Sequence, residues 1–468
     1  EAHISEPFVQ TLMQVQRFRS LGHGGISNSD APPMPALNTP FAFLQMTATP
    51  PPDANSVLRL TEKDRENKTL SARLTATKPA KLMVAKASGA KALASLADAL
   101  VLEALAIHER MQPRSIAVLV NRVATARQVA RLLSEKIKGA PITLLIGRMR
   151  PIDRDIVTGE LREQLRTRRP DESDHPGDSA TTRFVVATQC LEVGADLDFD
   201  ALVTECASLD ALRQRFGRLN RGGRSISAQA TVVIRSDQIA KDEGKVAPDS
   251  SAFDPIYKGA LALTWSWLSS IAQDETVDFG IDAMDAQVTK LRISNEPRFA
   301  SLLSPKANAP VLLPAYLDAW CQTNPSPVPE PEPALFLHGP GCGDPDVQVC
   351  WRADVPHESD DKAAWIQVVT ACPPSSVECL NVPLGQLSRW IRSGSAGDAN
   401  ASDVLGAPPS EPSDEETPSN KRGLIWRGPR HSQLLVGANG LRPGDTVVLS
   451  AESEGWDILG HVPDATVA

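Results

Sequence analysis

The chain has 468 residues, 41% of them apolar and 22% charged, with a formal net charge of −9. That length allows two to four domains, and the composition is that of an ordinary globular protein. No run of about 18 apolar residues is present, which argues against a membrane-spanning helix. No basic start followed by an apolar core marks a signal peptide, so the expected compartment is the cytoplasm. The negative total argues against a protein that coats nucleic acid over its whole surface, but local potential decides binding. Arg is concentrated between Arg114 and Arg224, whereas acid dominates from Asp242 to Asp285 and after Pro325. The seven cysteines include the pairs Cys342/Cys350 and Cys372/Cys379, spaced too widely for a C-x-x-C metal pairing. Free thiols are therefore expected rather than a zinc site.

In chain order, Phe8, Leu12, Val15 and Phe18 stand near helical spacing, so Glu6 to Ser20 is a predicted helix. A Gly/Ser/Asn/Pro loop follows from Gly22 to Pro40, then a short apolar strand from Phe41 to Met46. A charged stretch leads to an Ala-rich helix from Lys91 to Met111, with Leu93, Leu96, Leu100, Ala104 and Ile107 as its apolar stripe. Strand and helix then alternate. Strands are expected at Ile116–Val120, Ile142–Ile146, Phe184–Ala187, Ala201–Cys206 and Ala228–Ile234, and helices at Ala124–Lys136, Asp153–Arg168 and from Asp210 to Phe216. Such alternation predicts a parallel α/β sheet covered by helices on both faces. Ala252 to Leu291 reads as helical, Pro325 to Pro333 as an extended linker, and Ser393 to Lys421 as a polar insertion. Val347 to Trp351 and Thr446 to Leu449 suggest strands in a tail whose fold the pattern does not define.

Two segments carry chemistry. In Gln214-Arg215-Phe216-Gly217-Arg218-Leu219-Asn220-Arg221, helical spacing projects Gln214, Arg218 and Arg221 together. Planar cationic forks suit the outer phosphate of a nucleoside triphosphate as charge develops during cleavage. The plainer alternative is a solvated basic helix. The second segment, Ala187 to Asp198, follows a buried strand. Its Thr188 can reach the crevice at the strand ends, Gly194 permits close backbone approach, and Asp196 offers a carboxylate to sugar hydroxyls. The plainer alternative here is a strand-turn with an acidic cap. Their order, one strand apart, is more specific than either alone.

These two segments resemble motifs V and VI of superfamily 2 helicases. Thr47-Ala48-Thr49 resembles motif III, Val118-Leu119-Val120-Asn121 with Thr125 resembles motif IV, and Glu1-Ala2-His3 looks like a DEAH box without its Asp. The five matches stand in order from Glu1 to Arg221. Ala187 to Asp198, Leu209-Asp210, Arg213 to Asn220 and Leu145 to Arg154 are similar to the CRISPR-associated helicase–nuclease of type I systems. Glu1 to Ser5 and Leu441 to Thr446 look closest to its I-G (formerly I-U) branch.

The resemblance implies a RecA-like second motor domain at 113–235, preceded by the end of a first one at 1–50 and a linker with a helix at 51–112. A helical accessory region at 236–325 and a small mixed C-terminal region at 326–468 would follow. It implies ATP and Mg2+ as cofactors, and single-stranded DNA and an RNA-guided surveillance complex as partners. Glu1 would polarise water and support Mg2+ indirectly. Gln214, Arg218 and Arg221 would act at the phosphate, and His3, Gly194, Asp196 and Arg215 at the nucleotide. Thr47 and Thr49 would couple hydrolysis to movement, and Asn121, Arg148 and Thr188 would contact nucleic acid. No G-x-x-x-x-G-K-[ST] loop and no His-Asp dipeptide occurs in the sequence, so the chain is expected to be a fragment without the phosphate loop or the nuclease. The eight histidines are scattered. Two other readings fit the residues: a DEAH-type RNA helicase, and a non-enzymatic module that binds nucleic acid or a partner.

Overall fold

Runs such as Ser-Ile-Ala-Val-Leu, Arg-Phe-Val-Val-Ala and Ala-Leu-Val-Thr-Glu carry little polar relief, and strands of that kind are stable only when buried on both faces. The computed structural model places them so. It describes residues 6–21, 60–86, 92–167, 181–192, 196–240, 246–322, 333–339, 345–356, 359–394 and 421–463. The chain divides into two units, residues 1–55 with 305–342, and residues 56–304 with 343–468.

In the smaller unit, helix Glu6–Leu21 packs on helix Ala334–His338. Thr11 Oγ1 donates to the Phe336 carbonyl at 2.7 Å, and Gln10 Nε2 donates to Asn308 Oδ1 at 3.0 Å. The strand expected at Phe41–Met46 lies outside the described residues.

The larger unit is built on strands Pro79–Ala85 (β1), Ser115–Leu119 (β2), Ile142–Leu145 (β3), Arg183–Ala187 (β4), Ala201–Glu205 (β5), Gln229–Arg235 (β6) and Thr276–Asp278 (β7). They form one sheet in the order β3-β4-β2-β5-β6-β1-β7. Every pairing is parallel except that of β1 with β7. β2 and β5 are buried along their whole length. Helix Ala92–Met111 lays Leu96, Leu100, Ala104 and Ile107 against the sheet, all at most 2% exposed. Helix Pro151–Leu165 begins with proline at its first turn, where a missing amide hydrogen costs nothing.

The expected strands β2 to β6 are all present, each within about a residue of its predicted limits. The expected division at residue 113 differs from the structure. β1 pairs with β6 in register from Ala80–Ala230 to Ala85–Arg235, so the stretch read as a linker supplies a strand of this sheet. The stretch read as a helical accessory region also joins the sheet, through β7. Its helix Ala260–Ile271 puts Trp265, Trp267 and Leu268 into the same apolar core. Those tryptophans are 6% and 3% exposed, which is core packing rather than a base-stacking surface.

The tail forms a second, mixed sheet from Asp346–Arg352 (β8), Leu380–Pro383 (β9), Arg422–Trp426 (β10), Gln433–Val436 (β11) and Thr446–Ser450 (β12), in the order β11-β10-β12-β8-β9. Helix Leu384–Ser393 covers it with Leu387, Trp390 and Ile391. These positions follow i, i+3, i+4 spacing, and each buried side chain contributes about 1.5–3 kcal/mol of apolar transfer. This sheet docks on the seven-stranded sheet's Arg148 loop and the helix after it. The His461 amide donates to the Arg148 carbonyl at 2.8 Å, and the Ile152 amide to the Val377 carbonyl at 3.1 Å. Among the described residues no helix is long and apolar enough to cross a membrane.

Candidate functional site

Chain direction reverses at β2. From β2 the chain moves outward to β3 and back to β4, then crosses to β5 on the other side. Such a switch opens a crevice beyond the carboxyl ends of the strands, where ligands of parallel α/β sheets bind. Asn121 follows β2, Thr188 follows β4, and Cys206 follows β5. The candidate residues therefore converge by topology before any side chain is considered.

Arg215 ties these strand ends together. It is fully buried on helix Leu209–Phe216. Its Nε donates to Glu192 Oε1 at 2.8 Å. Nη1 donates to Thr204 Oγ1 at 3.0 Å and to the Glu205 carbonyl at 2.9 Å. Nη2 donates to Asn121 Oδ1 at 2.8 Å and to Tyr257 Oη at 3.2 Å. Burial opposes its charge, but Tyr257, Glu192 and Glu205 outweigh that and hold its pKa above the ordinary value. Burial pushes the Glu205 carboxyl up, although the Asn121 amide donates to it at 2.8 Å. The resemblance implies Arg215 at a nucleotide; in the structure it is enclosed as the clasp of three strand ends. Asn121 is likewise buried, its Nδ2 donating to the Cys206 carbonyl at 2.8 Å.

The helix ends at Phe216, so Gln214, Arg218 and Arg221 do not share one helical face as the spacing suggests. Gly217 caps the helix, and the chain turns to run beside residues 197–199. The Phe199 amide donates to the Arg218 carbonyl at 2.9 Å, and the Asn220 amide to the Phe199 carbonyl at 2.8 Å. Arg218 points back into the domain, 3% exposed, donating to the Leu191 and Glu192 carbonyls at 3.0 and 2.8 Å. Arg221 projects outward, with Nε 3.1 Å from Asp196 Oδ1; the two side chains are 27% and 63% exposed. Thr167 Oγ1 also donates to Asp196, at 2.6 Å. The segment after β4 and the turn after helix Leu209–Phe216 thus meet at an exposed carboxylate and a half-buried guanidinium. Gln214 is half-buried on the helix.

Two buried charges hold that meeting point, and neither stands out in the sequence. Asp198, fully buried, accepts from the Arg221 amide at 2.7 Å, the Gly222 amide at 3.2 Å and Arg224 Nε at 3.1 Å. Lys78, on the approach to β1 and 2% exposed, donates from Nζ to the Phe216 carbonyl at 2.8 Å. A cation there satisfies a helix-terminal carbonyl. Burial brings the Lys78 pKa down to about 8, with Asp198 opposing and Arg221 adding to the fall. Asn220 takes φ 39° and bonds Arg224 through both amide atoms, at 2.8 and 3.0 Å. Gly223 takes φ 70°, and a Cβ there would lie 2.5 Å from the Ala72 backbone.

Thr188 is 6% exposed, its Oγ1 3.8 Å from the Cys190 thiol. Arg148, half-buried, donates to Gln386 of the second sheet. Its neighbour Arg150 pairs with Asp153 at 2.6 Å. Glu1, His3, Thr47, Thr49 and Gly194 lie outside the described residues.

A parallel sheet with a switch-point crevice, and a strand-end loop bonded to an arginine-bearing turn, make up the candidate site. Residues 112–224 match the family described as CRISPR-associated nuclease/helicase Cas3, C-terminal. Solved structures similar to the chain include a Cas3 from T. fusca with AMPPNP, at 16% identity and a TM-score of 0.39, covering 73% of this chain and 41% of that one. A CRISPR-associated protein is similar at 17% identity and a TM-score of 0.40, covering 77% and 41%. The C-terminal domain of the DEAD-box protein Dbp5 is similar at 20% identity and a TM-score of 0.25, covering 34% and 76%. The chain spans about two fifths of the length of the first two of these proteins. No curated protein matches it.

Proposed function

We propose that the chain supplies the second motor domain and an accessory region of an ATP-driven translocase. It would act on single-stranded DNA for an RNA-guided surveillance complex in CRISPR interference. The observation that carries this reading is the outward-facing pair Asp196 and Arg221, set by buried Asp198 and Lys78 at the turn after the motif VI helix. An exposed carboxylate fits ribose hydroxyls, and a guanidinium beside it fits the outer phosphates. The nucleotide would displace Arg221 from Asp196 and take both partners. Arg221 would then stabilise the charge that develops on the transferred phosphoryl group. Arg218 serves the same site by holding the Leu191–Glu192 backbone, and Gln214 stands beside them on the helix. Mg2+, when bound, neutralises phosphate oxygens; its expected support, Glu1, lies outside the described residues. Asn121, Thr188 and Arg148 follow three neighbouring strands, and this edge would face the nucleic acid.

The test is ATP turnover by the intact protein that contains this segment. Arg221→Ala should lower turnover by about 10²-fold or more and change nucleotide affinity little, because the contact strengthens in the transition state. Wild-type turnover in that variant removes the assignment. The present chain alone, without a phosphate loop in its sequence, should turn over little ATP.

A further inference from the structure

A second reactive feature lies in the accessory sheet, away from motifs V and VI. β8 and β9 pair antiparallel, with Val347 opposite Val382 and Val349 opposite Leu380. One step further along the same register, Cys350 stands opposite Cys379. Directly opposed residues in an antiparallel pair have Cα atoms roughly 4.5–5.5 Å apart. A disulfide needs about 4.4–6.8 Å. Both are free cysteines, 3% and 1% exposed, and the Cys379 thiol donates to the Ser375 carbonyl at 3.2 Å. β9 is the edge strand, so its end can shift by the small distance that bonding requires.

Burial alone would make this pair inert, but Cys350 lines a cavity of about 740 Å³. The cavity lies between the accessory sheet and helix Pro151–Leu165, and Arg150, Ile156, Trp351, Arg352 and the exposed Cys372 share its wall. A small neutral oxidant fits that space. The two thiols are also unequal. Cys350 is held below the ordinary thiol range, first by the neighbouring Cys379 thiol and then by Arg352 and Arg150, against the effect of burial. Cys379 is pushed up by the same contact and by burial.

We propose that Cys350 and Cys379 form an oxidative modification site, joined reversibly as a disulfide when a peroxide enters this cavity. The Cys350 thiolate attacks one peroxide oxygen. An S–O bond forms, the O–O bond breaks, and hydroxide leaves as water after taking a proton, so Cys350 becomes a sulfenic acid. Cys379, losing its proton, then attacks that sulfur. The S–S bond forms, the S–O bond breaks, and a second water departs. Two thiols are oxidised by two electrons and one peroxide is reduced to two waters. A dithiol reductant reverses the bond by exchange. The product braces the joint between the two sheets. Val377, two residues before Cys379, accepts the Ile152 amide of the motor helix, and the disulfide fixes that segment to β8.

The full chain is treated with hydrogen peroxide, acid-quenched, alkylated and mapped by mass spectrometry. The expected result is a linked Cys350–Cys379 peptide, a loss of two free thiols, and recovery of both with dithiothreitol. In Cys379→Ser, dimedone should trap a sulfenic acid at Cys350. In Cys372→Ser, the link should still form. Exchange of the Ile152 amide hydrogen should slow in oxidised wild-type protein. Separate alkylation of Cys350 and Cys379 after Cys321 and Cys372 have been oxidised overturns the proposal, as does a Cys350–Cys372 link. An unchanged Ile152 exchange rate in linked protein overturns the brace.

Discussion

Arg215 and Arg221 lie six residues apart in one motif, yet the structure assigns them opposite work, and their removal should separate stability from chemistry. Arg215→Ala deletes a guanidinium with no exposure and five donor contacts, and strands Glu192, whose side chain is 9% exposed, without its ion partner. Breaking a buried ion pair from one side costs about 3–5 kcal/mol, a large share of the roughly 5–15 kcal/mol that stabilises a domain. Arg221→Ala removes an ion pair whose carboxylate is 63% exposed. Solvent screening leaves such a pair about 0–1 kcal/mol. Urea unfolding followed by tryptophan fluorescence is the assay, because Trp265 and Trp267 report on the shared core. The Arg215→Ala midpoint should fall far below that of Arg221→Ala, with Arg215→Lys between them, since an ammonium cannot span the fork. Equal midpoints for the two alanine variants would refute the clasp.

Lys78 has a folded pKa of about 8 against an ordinary value of 10.5. The folded state loses this proton first, so stability from the group is least below pH 8 and grows as pH rises toward 10.5. Relative to Lys78→Met, the wild type should gain about 2 kcal/mol in unfolding free energy from pH 7 to pH 9.5; parallel profiles would show that Lys78 is not desolvated. Gly223→Ala combines a left-handed φ with a contact on the Ala72 backbone, and should cost roughly 2–5 kcal/mol in thermal or urea unfolding; a neutral result would place helix Lys68–Thr75 elsewhere. In the intact motor, Arg148→Gln should make the slope of log DNA affinity against log salt shallower by about 0.7, the value of one lost cationic contact to a single strand. An unchanged slope would place the DNA path away from Arg148.

β2 to β6 were legible because continuous β-branched and aromatic runs have few alternatives to a buried strand. β1 was not, since its exposure alternates and Lys81 interrupts its apolar pattern, and β7 is three residues long. The helix from Asp210 to Phe216 was legible, but the common face expected of Gln214, Arg218 and Arg221 is not formed, because the chain leaves the helix at Gly217 (φ −63°, ψ −13°). Asp198 and Lys78 carry no sequence signal of their roles, because the groups that satisfy them lie 23 and 138 positions away along the chain. Arg215 shows the same limit in reverse: its identity was visible, but its enclosure was set by Asn121, Thr204 and Tyr257 from three other segments.

The segment that matches the helicase family ends at residue 224, before β6, and begins after β1. β5, central in the sheet and buried throughout, would become an outer strand in a recombinant piece cut at those borders. Its unpaired amides and carbonyls, stripped also of helix Ala92–Met111, would template pairing with other copies. The unit of sequence inheritance is therefore smaller than the unit that can be expressed, and a soluble piece of this motor should begin before Lys78 and run past Asp278.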